Sequence, residues 1–406
     1  MLLYVCASNE VLRQNGHSSR QLTWANLSPQ NLHNIESNAL YAWPASCHLF
    51  SAKKSTAKPN KCNASVTLDQ VDRIHVHIHS ELHRLKGAHP ALAKVLNLGN
   101  SHEGRPMLGI KIKRGRSNTK GLIFLNFGIH AREWISPATG MYLIRQLLNP
   151  PARDEEIENM LDKFEWVFLP VSNVDGFNFT HEEDRLWRKN RRAINSSLPS
   201  QSHCVGVDLN RNFDSDHWGE GNDTNHPCSD IFPGERPFSE VESSNVATYL
   251  SRHKHKIAAF FDIHSYSKSW MSPWGWKDKK PPEFSSQMET LMKVGTDAIY
   301  NTTGKRYIYG QIFSTIYPTY GDLTDYVYDK LNVTHSYGLE LRPGDNEPNG
   351  FLLSSCEIVP TGREIMAALK AITPILEKEK KLVLKSRKLK NKTGREETRT
   401  GKRRRK

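Results

Sequence analysis

The spacing His-x-x-Glu occurs three times in this 406-residue chain, at His33/Glu36, His130/Glu133 and His217/Glu220. The motif is weak alone, and context separates the copies. His33 lies in a stretch without hydrophobic periodicity, and His217 in a Gly/Asn-rich loop. His130 follows an apolar run at residues 122–127 that reads as a buried strand, and it precedes a helical pattern. Sites on an open α/β sheet form just beyond the carboxyl ends of the strands. His264 ends a second such run, residues 257–263, and Glu340 sits on a third, residues 335–340. Two imidazoles and a carboxylate with a fourth position open are what a catalytic zinc ion requires. The same spacing fits two histidines at the edge of a core and a surface glutamate, and spacing alone leaves both open.

The elements that would position these groups alternate. Residues 122–127, 166–170, 257–263 and 337–341 read as strands, and residues 135–148, 240–252, 284–300 and 361–375 as helices. This predicts one large α/β domain, with a mixed, mostly parallel twisted sheet flanked by helices on both faces. A helix is also expected from the N-cap-like Thr67 through Leu85. It would put His75, His79 and His83 on one stripe, which reads more simply as an exposed polar face than as a metal site.

The boundaries follow from composition. Residues 1–66, rich in Asn, Ser and Lys, form a poorly specified leader with neither a signal peptide nor a convincing pro-segment; residues 67–377 form the domain; residues 378–406 form a basic tail expected to be disordered. The net charge of +13 invites a nucleic-acid reading, but the tail carries +12 of it and the body only +1. The tail could hold a polyanion. The cluster at residues 185–192, five basic residues in eight, is the remaining nucleic-acid candidate and is set aside because the body is neutral. No apolar stretch is long enough to span a membrane. Six cysteines without a CxxC pair argue against a zinc ribbon or a disulfide scaffold, and eight Asn-x-Ser/Thr sequons lean towards a secreted chain.

From about Thr67 to Ile375 the chain resembles the zinc carboxypeptidases of the carboxypeptidase A/B type. Six segments carry the resemblance, in the family's order: Gly128-Ile129-His130-Ala131-Arg132-Glu133-Trp134, Asn173-Val174-Asp175-Gly176-Phe177, Arg185-Leu186-Trp187-Arg188-Lys189, Val207-Asp208-Leu209-Asn210-Arg211-Asn212-Phe213, Ile263-His264-Ser265-Tyr266-Ser267 and Glu340-Leu341-Arg342. The resemblance implies one zinc ion per chain on His130, Glu133 and His264, a ligand set that carboxypeptidase A itself exemplifies. It implies that Asp208 fixes the His130 ring, that Asn210 and Arg211 hold a peptide's terminal carboxylate, and that Tyr317 closes over the substrate. Arg188 would face the scissile carbonyl, Glu340 the attacking water, and Arg132 the next residue outward. Cys204 and Cys228 would form a disulfide, the substrates would be peptide and protein C-termini, and the chain would be extracellular.

The side-chain pocket departs from the family's pattern. Thr324 stands where members that release basic C-terminal residues carry an acid, so a neutral pocket lined by Met271, Ile312, Ile316 and Thr319 is expected, with neutral or apolar C-terminal residues preferred. Against this, Asp262 and Asp322 stand near the pocket where small uncharged residues are usual, and either could pair with Lys or Arg. The loop at residues 342–351 is two residues longer than usual. A reading of a different class is a homologue that binds peptides or polyanions with little turnover.

Overall fold

The computed structural model describes residues 74–403 apart from 116–120, 151–152, 195–202 and 222–225, with side chains described between residues 77 and 380. The leader, its three cysteines, Thr67 and His33 lie outside the described residues.

Eight strands form one sheet: β1 (Ala93–Asn100), β2 (Pro106–Ile112), β3 (Gly121–Phe127), β4 (Phe164–Leu169), β5 (Ile257–Ser265), β6 (Ser269–Ser272), β7 (Ile308–Gln311) and β8 (Ser336–Leu341). Their spatial order is β1-β2-β4-β3-β5-β8-β6-β7. The central strands β4, β3, β5 and β8 are mutually parallel, β6 and β7 are parallel, and the β1/β2, β2/β4 and β6/β8 pairs are antiparallel. All seven residues of β3 and all six of β4 are buried, as expected of strands covered on both faces.

Strand alternation divides the core. Ile123, Leu125 and Phe127 of β3 join Phe261 and Ile263 of β5 in one cluster, which also takes apolar residues from α2 (Ile135–Leu148), α3 (Glu155–Lys163), α6 (Glu289–Thr303) and α9 (Ile358–Arg403). Leu122, Phe124 and Phe260 face the other way and pack with α4 (Val174–Glu182), α5 (Val241–His253) and α8 (Leu323–Asp329). The remaining helices are α1 (Ile74–Ala88) and the single turn α7 (Ile312–Thr315). Among the described residues no helix is long and apolar enough to cross a membrane.

The expected strands and helices of the centre all form, with shifted ends. The two outermost strands at each side of the sheet, β1, β2, β6 and β7, are missed by periodicity: β1 carries Lys94 and Asn97, and β6 and β7 have four residues each. The helix expected at 284–300 begins as a π-helical turn, Phe284–Met288, before α6. At the C-terminal end the backbone of α9 runs on to Arg403, into residues whose composition read as a tail. Leu, Lys, Glu and Arg are strong helix formers, and between Pro374 and Gly394 neither Pro nor Gly interrupts them. Like-charge repulsion in water is too screened to stop a helix already anchored by packing.

Arg342, part of the Glu340 motif, serves the fold. Its Nε and Nη2 donate to the two oxygens of Glu364 on α9, at 3.0 and 2.5 Å, and Glu364 also accepts from Tyr307 Oη (3.1 Å) and Thr303 Oγ1 (2.5 Å). The Glu364 side chain is wholly buried. Arg342 Nη1 also binds Glu357, so removing Glu364 leaves the guanidinium one partner but takes the charged acceptor from its Nε and Nη2, from Tyr307 and from Thr303, a loss of about 1.5–3 kcal/mol. Glu364→Ala is therefore expected to lose stability of that order in urea unfolding; a change under about 1 kcal/mol would contradict the clamp.

Candidate active site

The chain turns sharply out of β3 at Gly128, whose φ of +60° suits glycine. The following turn leads into α2 and carries His130 and Glu133. It is held from outside, since Ala131 N donates to Arg188 O at 3.0 Å and Asn173 Nδ2 donates to Ile129 O at 3.1 Å and Lys189 O at 3.0 Å. Asn173 Oδ1 accepts from Gly176 N and caps α4. Gly176 leaves no room for a Cβ, which would stand 2.4 Å from Lys189 O. The Asn-x-Asp-Gly motif is thus a joint between two loops of the site.

His264 lies near the end of β5, in register with Glu340 on β8. His130 Nδ1 is 2.7 Å from Glu133 Oε1, His264 Nδ1 is 3.2 Å from Glu133 Oε2, and the two Nδ1 atoms are 3.1 Å apart. Donors on a tetrahedron with zinc bonds of ~2.0–2.1 Å would be spaced about 3.3 Å apart. Two ring nitrogens this close, with a carboxylate beside both, match that spacing. Among the described residues the other metal-capable grouping is His203, Cys204 and Cys228, and its two sulfurs are joined in the Cys204–Cys228 disulfide. His79 and His83 lie on α1 and belong to neither grouping; His217 pairs with Glu220 and stacks on Trp276.

Behind His130 stands Asp208, fully buried. Its Oδ1 is 3.2 Å from His130 Nε2 and accepts from Asn210 N, capping the 3₁₀ turn Leu209–Arg211. Its Oδ2 accepts from Arg188 Nε (2.9 Å) and Nη2 (2.8 Å). Asn210 Oδ1 accepts from Leu323 N, and Arg211 Nη1 donates to Asn210 O. One cavity collects His130, His264, Arg188, Asn210, Arg211 and Glu340, and extends past Tyr317, Thr319, Asp322 and Thr324 to Met271, Ile312 and Ile316. Tyr317 is 51% exposed at its mouth. Among the described residues, the buried Glu340 Oε2 has no hydrogen-bond partner. Arg132 lies outward, its guanidinium 4.4 Å from the Phe351 ring centroid.

Electrostatics separates the carboxyls. Burial opposes charge on Glu133, but the imidazoles of His130 and His264 outweigh it and hold the carboxyl well below its usual range. Burial likewise opposes charge on Asp208, and Arg188, followed by His130 and Arg211, overcomes it. For Glu340 burial prevails. Joined by the charge of Glu133, it pushes this carboxyl up to about 8 against the pull of His264 and Arg188. A cation at the three-residue grouping would draw it down again.

Of the two acids weighed for the pocket, Asp322 lines the cavity. It caps α8 through Oδ1, which accepts from Asp325 N, while Oδ2 accepts from Thr319 Oγ1. Asp262 stands against His264 Nε2 instead, at 3.0 Å. The basic cluster at 185–192 is turned onto the protein: Arg185 stacks on Trp134, Arg188 binds Asp208, Lys189 donates to Pro227 O, Arg191 lies over Phe179 and Arg192 binds Glu240. Sequence reasoning missed Asn173 as a joint and Asn126 as a partner of Asp262; only the Asn173 motif gave a signal. In the longer loop, Glu347 accepts from Gly344 N and Lys268 Nζ, and Phe351 O accepts from Arg185 Nη2.

Residues 78–368 match the family profile described as zinc carboxypeptidase, peptidase M14. Zinc carboxypeptidase A 1 of Anopheles gambiae is 37% identical over 292 residues, which are 72% of this chain and 65% of that protein. Carboxypeptidase B of Astacus astacus is 37% identical over 295 residues, 73% of this chain and 93% of that protein. The structure of bovine thrombin-activatable fibrinolysis inhibitor in complex with tick carboxypeptidase inhibitor superposes with a TM-score of 0.67 at 31% identity, covering 75% of this chain and 97% of that one. The chain spans slightly less than two thirds of the length of the Anopheles relative. With a profile match over most of its length and a donor set that fits the metal, the chain belongs to the zinc carboxypeptidase family.

Proposed function

We propose that this protein is a zinc-dependent exopeptidase that hydrolyses the C-terminal peptide bond of peptides and proteins, with neutral or apolar terminal residues preferred. One observation carries the reading: His130 and His264 of the three-residue grouping, Glu340 and Arg211 line a single cavity. A cationic fork beside a metal site selects a free terminal carboxylate, since guanidinium and carboxylate match bidentately.

His130, Glu133 and His264 would hold the zinc, which when bound supplies a Lewis acid that polarises a carbonyl and acidifies water. Arg211 and Asn210 bind the terminal carboxylate and set which peptide bond reaches the metal. Glu340 accepts a proton from the attacking water and returns it to the leaving amine. Arg188, anchored to Asp208 through Nε and Nη2, stabilises the negative charge developing on the carbonyl oxygen. Tyr317 closes over the terminal residue and excludes water, and Arg132 contacts the next residue outward.

Met271, Ile312, Ile316, Thr319 and Thr324 make most of the pocket wall neutral. Burial raises the Asp322 carboxyl, against the bonds from Asp325 and Thr319 that lower it, and both its oxygens already accept hydrogen bonds. A second reading, preference for Lys or Arg, is favoured by the single fact that Asp322 lines this wall. Extracellular residence is supported by the Cys204–Cys228 disulfide, and by exposed sequons at Asn301 and Asn332, whereas Asn178 is buried.

Matched blocked peptides ending in Phe, Leu, Lys, Arg or Glu separate these readings. Release of Phe and Leu ahead of Lys and Arg is expected, with the order unchanged in Asp322→Asn. Release of Lys or Arg that Asp322→Asn abolishes would establish the second reading. Glu340→Gln should lower kcat by about 10²–10⁴-fold while still binding one zinc; wild-type kcat would remove Glu340 from the chemistry. Arg211→Ala should lower kcat/KM by roughly 10–100-fold, the loss of a charge-assisted pair worth about 1.5–3 kcal/mol. An unchanged value would refute its hold on the carboxylate.

A further inference from the structure

We infer that Asp262 is a positioning residue for His264, forming a second buried carboxylate–imidazole pair behind the metal site alongside that of Asp208 with His130; the inference rests on the assignment of zinc to His130, Glu133 and His264. Asp262 is wholly buried on β5, two residues before His264 and on the same face of the strand. Its Oδ1 accepts from Asn126 Nδ2 at 2.8 Å, across the register pair that joins β3 to β5. Its Oδ2 lies 3.0 Å from His264 Nε2. The other ring nitrogen, Nδ1, faces Glu133 and His130. Asp262 and the metal grouping therefore address opposite nitrogens of one ring.

The tautomer of that ring decides whether it can bind a metal. Nδ1 is a ligand only when its lone pair is free, which puts the proton of the neutral ring on Nε2. A carboxylate at Nε2 accepts that proton's hydrogen bond and favours this form. The competing group is the Asn210 amide, whose Nδ2 is 3.3 Å from the same Nε2. An amide donor there favours a bare Nε2 and a protonated Nδ1, the form that cannot bind. Asp262 opposes the neighbour that also serves the substrate side of the site. The arrangement accounts for an acid in the core as well. A buried carboxylate with one amide donor is costly, and an imidazole N–H linked through its ring to a cation offsets that cost.

The test is the zinc dissociation constant of metal-free protein, measured by competition with a chromogenic chelator, for wild type, Asp262→Asn and Asp262→Ser. Asn keeps the shape and an acceptor for Asn126 but removes the charge; Ser removes the carboxylate and shortens the side chain away from the ring. Loss of such a partner usually weakens metal binding by about 10–100-fold. Both variants are expected to show that loss, while the metal-free proteins keep the wild-type urea midpoint or exceed it. A dissociation constant within about twofold of wild type in either variant overturns the inference. So does weaker binding confined to variants whose metal-free form has lost its midpoint, which marks a role in folding alone. A switch in preference between peptides ending in Lys and Leu at saturating zinc, with zinc affinity unmoved, would make Asp262 a substrate group and overturn it equally. Wild-type protein that binds no zinc would instead refute the metal assignment beneath it.

Discussion

Both halves of the site hang on the carboxylate of Asp208. One oxygen stands at the far nitrogen of His130 and caps the turn that carries Asn210 and Arg211; the other receives two bonds from Arg188. A single buried acid thus orients His130, Arg188 and the turn that carries Asn210 and Arg211, the groups proposed to hold the metal, the carbonyl oxygen and the terminal carboxylate. An isolated charge in such a place would be prohibitive. It is held in its charged form by Arg188, His130 and Arg211 acting against burial. Moving it would disturb metal and substrate geometry together, which explains why Asp208 and Arg211 fall within one short motif.

The surrounding charges follow the same logic. Glu133, Asp208, Asp262 and Glu340 bring four carboxyls into a small volume that holds the guanidinium of Arg188 and the two imidazoles. Burial and Glu133 raise Glu340, whereas His130 and His264 hold Glu133 down, so neighbouring acids are pushed in opposite directions. Separating carboxyls in this way gives one an acid–base role and leaves the other as a fixed ligand. A divalent cation among them completes the balance.

The sheet explains why these groups meet. β3, β5 and β8 are adjacent and parallel, so the turn after β3, the end of β5 and the end of β8 emerge side by side. Much of this was legible in the sequence, because β3 and most of β5 read as apolar runs that end beside His130 and at His264, whereas the segment before Glu340 is mixed. Edge strands such as β1, with polar residues interspersed, carry no such run. The backbone of α9 continues past residue 377, where composition showed a block of like charge and the helix propensity of Leu, Lys, Glu and Arg was the competing signal. The ligand set and the role of Asp208 came from motif resemblance, since spacing alone could not choose between Glu133 and a surface role. Asp262 was set near the pocket by the family's residue at that position, and its contact with the His264 ring is a feature of three dimensions that such a comparison does not carry. Asn126 gave no signal, being one polar residue in an apolar strand.

The central claim is that the grouping of His130, Glu133 and His264 is a zinc site on which hydrolysis depends. The most direct test is to strip the protein of metal and titrate zinc back while following release of a C-terminal leucine from a blocked peptide. Activity should be absent from the stripped protein and rise in proportion to zinc up to one equivalent per chain, with no rise in His130→Ala at the same concentrations. Release by the stripped protein, or an equal response in His130→Ala, would contradict the account.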